Sequence, residues 1–352
     1  MPPMDSLWDY PDFDAHELVH FVTDRNSGLR AIIAVHSRHL GPAAGGTRFW
    51  HYAQTGEAVA DALRLSRGMS FKNAMAGLPM GGGKAVILAD DARTKTPEML
   101  AAYGKAIEGL CGAYVTAEDV GISVADLVEV ARETRYVSGL PVASGKAGGD
   151  PGPYTSYGVF LGVKAAVKRK LGKDSLAGLH IAIQGAGSVA SGLARHAARE
   201  GARLTIADVD GAKAEALARE TGGAIISPDA IMKVAADVLS PCALGAILTP
   251  ESIAALNVPI VAGGANNQLA TQAEGDRVRD RGILYAPDYV INAGGIINVA
   301  LEYLGEGDEA QVRSRIELIP SRLETIWDES DSSGRNAADV ADDMARKLIG
   351  RG

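Results

Sequence analysis

The spacing of apolar residues changes period along this chain, and each change predicts an element. Leu18 to Val22 and Leu29 to Val35 are β-forming runs on either side of Asp24-Arg25-Asn26-Ser27-Gly28, so a hairpin with turn chemistry at its tip is expected to open the fold. Between Glu57 and Met69 the apolar positions Val59, Leu63 and Leu65 oppose Asp61 and Arg64 at helical spacing. Lys84 to Ala89 is an unbroken apolar run behind one lysine, which reads as a buried strand that starts at a glycine turn. Thr96 and Pro97 have the chemistry of an N-cap and first turn for a helix to Leu110, and Ser123 with Asp126 resembles a capping pair for a helix from Val124 to Thr134. Tyr114-Val115-Thr116, between them, is a short strand that delivers Glu118 and Asp119 to its end.

Ser144 to Pro153 is so rich in glycine and proline that it predicts a loop and a domain boundary nearby. Thr155 then caps a helix to about Leu171, with Gly172 just past its end. Six short apolar runs follow in alternation with helical segments: Leu179 to Gln184, Arg203 to Ala207, Ile225-Ile226, Asp237 to Leu239, Pro259 to Ala262 and Ile283 to Tyr285. Strand and helix in alternation predict a parallel, doubly wound sheet, and hence an α/β protein. From about Glu309 the chain is helical, broken at Pro320 and resumed from Ala337 to Ile349. The domains expected are residues 1–140, joined by the C-terminal helix at about 330–352, and residues 141–329.

Composition narrows the function classes. The 352 residues are 47% hydrophobic but only 5% aromatic, and small side chains in such amounts suit tightly packed α/β layers. A net charge of -8 from 43 acidic and 35 basic residues leaves no general basic surface, so nucleic acid is not an expected partner. Cys111 and Cys242 are too few and too far apart for a disulfide framework, and a reducing cytoplasm fits them better. The histidines, among them His16, His20, His36, His39 and His51, fall at no zinc-binding spacing, so no metal is expected and they read as structural or exposed. Met1 to Asp14 is acidic and contains proline, unlike a secretion signal, and no apolar run is long enough to span a membrane.

The chemistry concentrates at two places. Gly81-Gly82-Gly83-Lys84 sets one ammonium in a stretch almost free of side chains, where desolvation beside other cations would draw a lysine toward the range of a base at neutral pH. Lys72 precedes it in Ser70-Phe71-Lys72-Asn73-Ala74, and Glu118-Asp119 follows. A nucleoside-triphosphate loop is excluded, since Leu78 stands where that motif needs glycine and Ala85 where it needs Ser or Thr. The second place is Gly185-Ala186-Gly187-Ser188-Val189-Ala190, between a predicted strand and a predicted helix. Gly185 would make the tight turn, Gly187 would admit a pyrophosphate, and Ala190 would let helix pack on strand. Asp208, at the end of the next strand, is placed to bind ribose hydroxyls, and with only Val209 and Asp210 after it NAD is favoured over NADP.

Together these segments resemble the glutamate, leucine, phenylalanine and valine dehydrogenases along nearly the whole chain. The likeness rests on Gly41-Pro42-Ala43-Ala44-Gly45-Gly46-Thr47-Arg48, Phe71-Lys72-Asn73-Ala74, Leu78-Pro79-Met80-Gly81-Gly82-Gly83-Lys84 and Ala117-Glu118-Asp119-Val120-Gly121. Pro241-Cys242-Ala243-Leu244-Gly245, Gly264-Ala265-Asn266-Asn267-Gln268 and Asn292-Ala293-Gly294-Gly295 extend it. The resemblance implies an N-terminal substrate and oligomerisation domain, a Rossmann domain for NAD, a cleft that closes over an amino acid, and a homo-oligomer such as a dimer or octamer. It implies that Lys72 holds the substrate carboxylate, Lys84 activates water, and Asp119 shuttles protons to the amine. Gly45 and Gly46 would offer backbone N–H groups to the substrate. Asn267 or Asn266 would steady substrate or cofactor, and Gly185, Gly187, Ser188, Val189, Asp208, Ala243, Asn266 and Asn292 would surround the cofactor.

Ala44 stands where glutamate dehydrogenases carry a lysine for the side-chain carboxylate, and without that cation a glutamate side chain would bury an unpaired charge, so the resemblance implies an apolar substrate. The pocket it implies is lined by Ala44, Ala117, Ile296 and Val299. The small Ala44 is similar to phenylalanine enzymes, while Ala117 and the Glu118-Asp119 pair are similar to leucine enzymes. Branched-chain substrates are favoured, with an aromatic amino acid as the alternative. Two rival readings are a noncatalytic NAD-binding protein and a 2-hydroxy acid oxidoreductase. Lys72, Lys84 and Asp119 together argue against the first, and the lack of histidine in the glycine-rich motifs argues against the second.

Overall fold

A computed structural model describes residues 6–90, 94–141, 145–305 and 307–352. The first five residues, and Ser144 at the start of the expected boundary loop, lie outside this range. The chain divides into two compact units, one of residues 1–149, 298–309 and 345–352, the other of 150–297 and 310–344. The division falls after Gly149, where the sequence suggests about residue 140, and the C-terminal contribution to the first unit begins at Ala345 rather than near 330.

The first unit is built on five strands, β1 (Leu18–Asp24), β2 (Leu29–Ser37), β3 (Ala43–His51), β4 (Gly81–Ala89) and β5 (Tyr114–Ala117), in the spatial order β1-β2-β4-β3-β5. The opening hairpin is as expected. β1 and β2 pair antiparallel, Asp24 Oδ2 accepts from the Ser27 N–H at 2.8 Å, and Gly28 takes the left-handed conformation that closes the turn. β4 lies parallel to β3 and antiparallel to β2, with apolar layers on both faces. Ala58, Val59, Ala62 and Leu63 of helix α1 (Thr55–Met75) pack with Val86 and Leu88 on one face. Helices α2 (Pro97–Glu108) and α3 (Val124–Val130) cover Ala85 and Ile87 on the other. Thr96 caps α2, and Ser123 and Asp126 form the capping box of α3. α3 ends at Val130, short of the expected Thr134.

Two expectations need correction. Gly81, Gly82 and Gly83 form the first three residues of β4, buried and without positive φ, so they are strand and not turn. The reason is space. A Cβ on Gly81 would overlap the Ser37 carbonyl, one on Gly82 the Ser70 backbone of α1, and one on Gly83 would come within 2.6 Å of the Tyr114 ring. Helix α1 also runs on to Met75, past Met69, so Lys72 stands in its last turn. Asn73 holds that turn to the sheet by donating to the Gly81 carbonyl at 2.5 Å.

The second unit carries the doubly wound sheet. Its strands are β6 (His180–Gln184), β7 (Arg203–Ala207), β8 (Ala224–Ile225), β9 (Val238–Pro241), β10 (Ile260–Val261) and β11 (Leu284–Tyr285). They are parallel throughout, in the order β11-β10-β9-β6-β7-β8. The order reverses between β6 and β9, and such a switch point is where open parallel sheets bind ligands. Helix α4 (Gly152–Leu171) begins ahead of Thr155, because Pro153 fits the first turn, where no N–H is required. Thr155 is therefore inside the helix and not its cap, its hydroxyl donating to the Pro151 carbonyl at 2.9 Å. Helices α5 (Ser188–Arg199) and α6 (Gly211–Thr221) complete the first two crossovers. Pro320 lies in the first turn of helix Ile319–Ser333, which follows helix Glu309–Ile316. No helix among the described residues is long and apolar enough to cross a membrane.

Candidate active site

Lys84 and Asp119 meet in the first unit as a direct ion pair through Asp119 Oδ2. Lys84 shares its face of β4 with Gly82 and Val86, the side covered by α1, and is only 6% exposed. Burial pushes its ammonium below the ordinary lysine range, and the Asp119 carboxylate opposes that fall without cancelling it. Burial also pushes the Asp119 carboxyl up, but Lys84 and then Arg48 outweigh it and hold the group below the usual carboxylate range. Asp119 follows β5, where its carbonyl accepts from the Ile122 N–H, while Asp126 serves Ser123, so Asp119 is not spent as a helix cap.

Gly46 explains how the carboxylate approaches so closely. It pairs with Ala117 in the β3–β5 register, and a Cβ on it would lie 2.6 Å from the Glu118 carbonyl and 2.8 Å from Asp119 Cβ. Gly45 is equally confined against Gly83, and the Gly45 and Gly46 carbonyls accept from the Tyr114 hydroxyl, at 2.7 and 3.2 Å. That hydroxyl belongs to a buried cluster in which Thr47 Oγ1 lies 2.5 Å from Tyr103 Oη and 2.6 Å from Thr116 Oγ1. Ala44 lies between Gly82 and Val115 in the sheet and is 4% exposed. Ala117 is half-buried at the end of β5, and Val299 is buried near Gly139. Lys72 is half-buried, two residues along α1 from Ser70, which faces Gly82. Ile296, the remaining predicted pocket residue, belongs to the second unit.

Arg48 ends the Gly41–Arg48 segment that carries the family resemblance, and no role is expected of it from the sequence. Its Nη1 donates to Asp61 Oδ2 at 2.7 Å, and its Nε lies 3.4 Å from Asp119 Oδ2. The available signal was the period of two in Gly46-Thr47-Arg48, which puts Arg48 on the face of Gly46.

The second unit gathers the predicted dinucleotide residues at the carboxyl ends of neighbouring strands. Gly185 follows β6 with φ of 109°, a conformation that favours glycine, and a Cβ there would meet Ala243 at 3.1 Å. Gly187 faces open space, and α5 starts at Ser188 without a side-chain cap, leaving first-turn N–H groups and the positive end of the helix dipole to an anion. Asp208, after β7, accepts from the Ala186 N–H at 2.6 Å and the Asp210 N–H at 2.7 Å, which fixes its carboxylate beside the glycine turn. Val189 packs against Gly264, and Asn292, 2% exposed, donates to Asn266 Oδ1 at 2.7 Å and the Gly264 carbonyl at 3.2 Å. Asn267 holds a left-handed backbone with φ of 52°, its carbonyl accepting from the Ala246 N–H at 2.6 Å. An open glycine turn, an uncapped helix start and an anchored carboxylate at strand ends fit a dinucleotide. No cluster of three or more metal-binding side chains occurs among the described residues.

Known proteins are similar to this chain along most of its length. Residues 16–136 match the dimerisation domain of the Glu/Leu/Phe/Val dehydrogenases, and residues 149–222 and 213–345 match the Glutamate/Leucine/Phenylalanine/Valine dehydrogenase domain. The chain is 45% identical to a leucine dehydrogenase of Thermoactinomyces intermedius, over 97% of this chain and 93% of that protein. It is 44% identical to a valine dehydrogenase of Streptomyces albus, over 97% and 94%. The crystal structure of L-tryptophan dehydrogenase from Nostoc punctiforme superposes with a TM-score of 0.83 at 41% identity, covering 95% of this chain and 96% of that one. A hetero-hexameric glutamate dehydrogenase from Thermus thermophilus, at 22% identity and a TM-score of 0.74, shares the fold. On both domain matches and the near full-length similarity, the chain belongs to the Glu/Leu/Phe/Val dehydrogenase family.

Proposed function

We propose that this protein is an NAD-dependent L-amino acid dehydrogenase that converts an apolar amino acid, water and NAD reversibly into the 2-oxo acid, ammonium, NADH and a proton. The buried Lys84–Asp119 pair carries the reading, since it joins a base and a proton carrier at one point. NAD, when bound, supplies the acceptor for the hydride of the substrate α-carbon. Lys84, in its neutral form, takes a proton from the water that attacks the resulting substrate imine, and Asp119 relays a proton to the departing amine. Lys72 pairs with the substrate carboxylate and fixes which face of the α-carbon is presented. Asp208 takes the ribose hydroxyls, and with Val209 and Asp210 following it the site would repel a 2′-phosphate.

The substrate we favour is a branched-chain aliphatic amino acid. Ala44 brings no cation to the pocket, which argues against glutamate, and relatives that include leucine and valine dehydrogenases support an aliphatic side chain. The small side chain of Ala44, with the tryptophan dehydrogenase relative, favours an aromatic substrate as the second reading. The match of residues 16–136 to a dimerisation domain supports a homo-oligomer. Initial rates of NADH formation with leucine, valine, isoleucine, phenylalanine and glutamate test the proposal. The aliphatic substrates should give the highest kcat/KM and glutamate almost none. Lack of turnover with every apolar substrate would remove the dehydrogenase reading.

A further inference from the structure

Arg48 has more donors than its anchor uses. Asp61, whose side chain is 12% exposed, accepts at Oδ2 from Arg48 Nη1 at 2.7 Å and from the Tyr52 hydroxyl at 2.6 Å, and at Oδ1 from Arg64 Nη2 at 2.7 Å. Three donors fix that carboxylate, and it in turn fixes the guanidinium. An ion pair serving stability alone would be complete there. Yet Arg48 Nε is buried, makes no hydrogen bond among the described residues, and lies 3.4 Å from Asp119 Oδ2, the oxygen that also meets Lys84. The residue reaches this position from β3, on the face of Gly46, whose missing side chain admits Asp119.

We infer that Arg48, anchored by Asp61, is a positioning residue that holds the Asp119 carboxylate against Lys84 and sets a second fixed positive charge beside the pair. This rests on the dehydrogenase reading above. An arginine stays protonated throughout the working range, so the charge remains when protons move through Asp119 and Lys84. The groups facing Arg48 are Asp61 and Arg64 from α1, Tyr52 after β3, Lys84 from β4 and Asp119 after β5. Its charge favours the ionised form of Asp119 and the neutral form of Lys84, the states the reaction draws on at its start.

The test compares Arg48→Gln, which removes the charge, with Arg48→Lys, which keeps it but loses the fork. In Arg48→Gln the rising limb of kcat/KM against pH for amino acid oxidation should move up by about one pH unit, the scale for a close charge, while NADH affinity by fluorescence titration stays unchanged. Arg48→Lys should largely return that limb. A second readout does not need turnover: in spectra of protein labelled with 13C at lysine Cε, the Lys84 signal, identified by its loss in Lys84→Met, should titrate about one unit higher in Arg48→Gln. An unmoved Lys84 midpoint, or equal shifts in both Arg48 variants, overturns the inference even if turnover falls. A wild-type protein inactive on all apolar amino acids overturns the functional reading instead, and the lysine titration still decides what Arg48 does.

Discussion

Gly46→Ala puts one methyl group where the structure has no room for it, and the consequence can be followed to the reacting groups. The added Cβ would lie 2.8 Å from Asp119 Cβ, whereas ordinary contact begins at 3.4 Å, so the Asp119 backbone has to retreat by about 0.6 Å if β3 holds its place. The Glu118 carbonyl, 2.6 Å away, is pushed in the same direction. β3 has little freedom to yield, because it is paired on both sides and Tyr114 binds the Gly46 carbonyl. Misplacement of a reacting group by about 1 Å can lower a rate by about a hundredfold, so a fall of kcat between about tenfold and a hundredfold is expected. Overpacking of this kind costs about 1–3 kcal/mol of stability. Gly68→Ala is the control: it lies on the exposed side of α1 with nothing near its Cβ, so it should raise stability by about 0.5–1 kcal/mol and leave the rate unchanged. Steady-state rates with NADH detection, NADH fluorescence titration and urea unfolding of the two variants provide the measurements. A Gly46→Ala protein that folds and keeps kcat within threefold of wild type would show that Asp119 does not need its observed position.

Lys84→Met should lower kcat by about a hundredfold to ten-thousandfold, the usual contribution of a positioned base, with NADH affinity kept; a loss below tenfold would remove this lysine from the chemistry. Asp208→Ala should weaken NADH binding by about tenfold or more, since a charged partner to the ribose is lost, and an unchanged dissociation constant would misplace the ribose site. His36 is fully buried against Arg351 Nη1 at 2.8 Å and Ser70 Oγ at 2.8 Å, and burial, then the Arg351 charge, lowers it from 6.5 to about 3. The unfolded chain therefore binds one more proton between those values, so stability present above pH 6.5 is lost as pH falls toward 3, at up to about 1.4 kcal/mol per pH unit. Urea midpoints from pH 7 to 4 should fall less steeply in His36→Asn than in wild type, and parallel curves would refute this.

The second unit was the more legible in sequence, because parallel strands covered on both faces write themselves as continuous apolar runs, and Gly185 and Asp208 stand at fixed places relative to those runs. The first unit hid more. Gly81 to Gly83 look like a turn because glycine runs usually are one; the groups that demand their bareness, Ser37, Ser70 and Tyr114, are distant or inconspicuous in sequence. The extension of α1 past Met69 is likewise a tertiary effect, secured by Asn73 reaching Gly81. Lys84 and Asp119 could be named from their motifs, but their contact, and Arg48 behind it, depends on three strands lying side by side.

The bare start of β4 limits how this protein can diversify. A strand wedged by a helix on one face and an aromatic ring on the other offers mutation almost no tolerated alternatives, so the stretch leading to Lys84 acts as an invariable template. On the proposed dehydrogenase reading, adaptation to a bulkier or slimmer amino acid would have to be found at neighbours that already possess a side chain, such as Ala44 and Ala117 of the proposed pocket, where exchange of a single residue would retune preference without disturbing the proposed proton-handling apparatus.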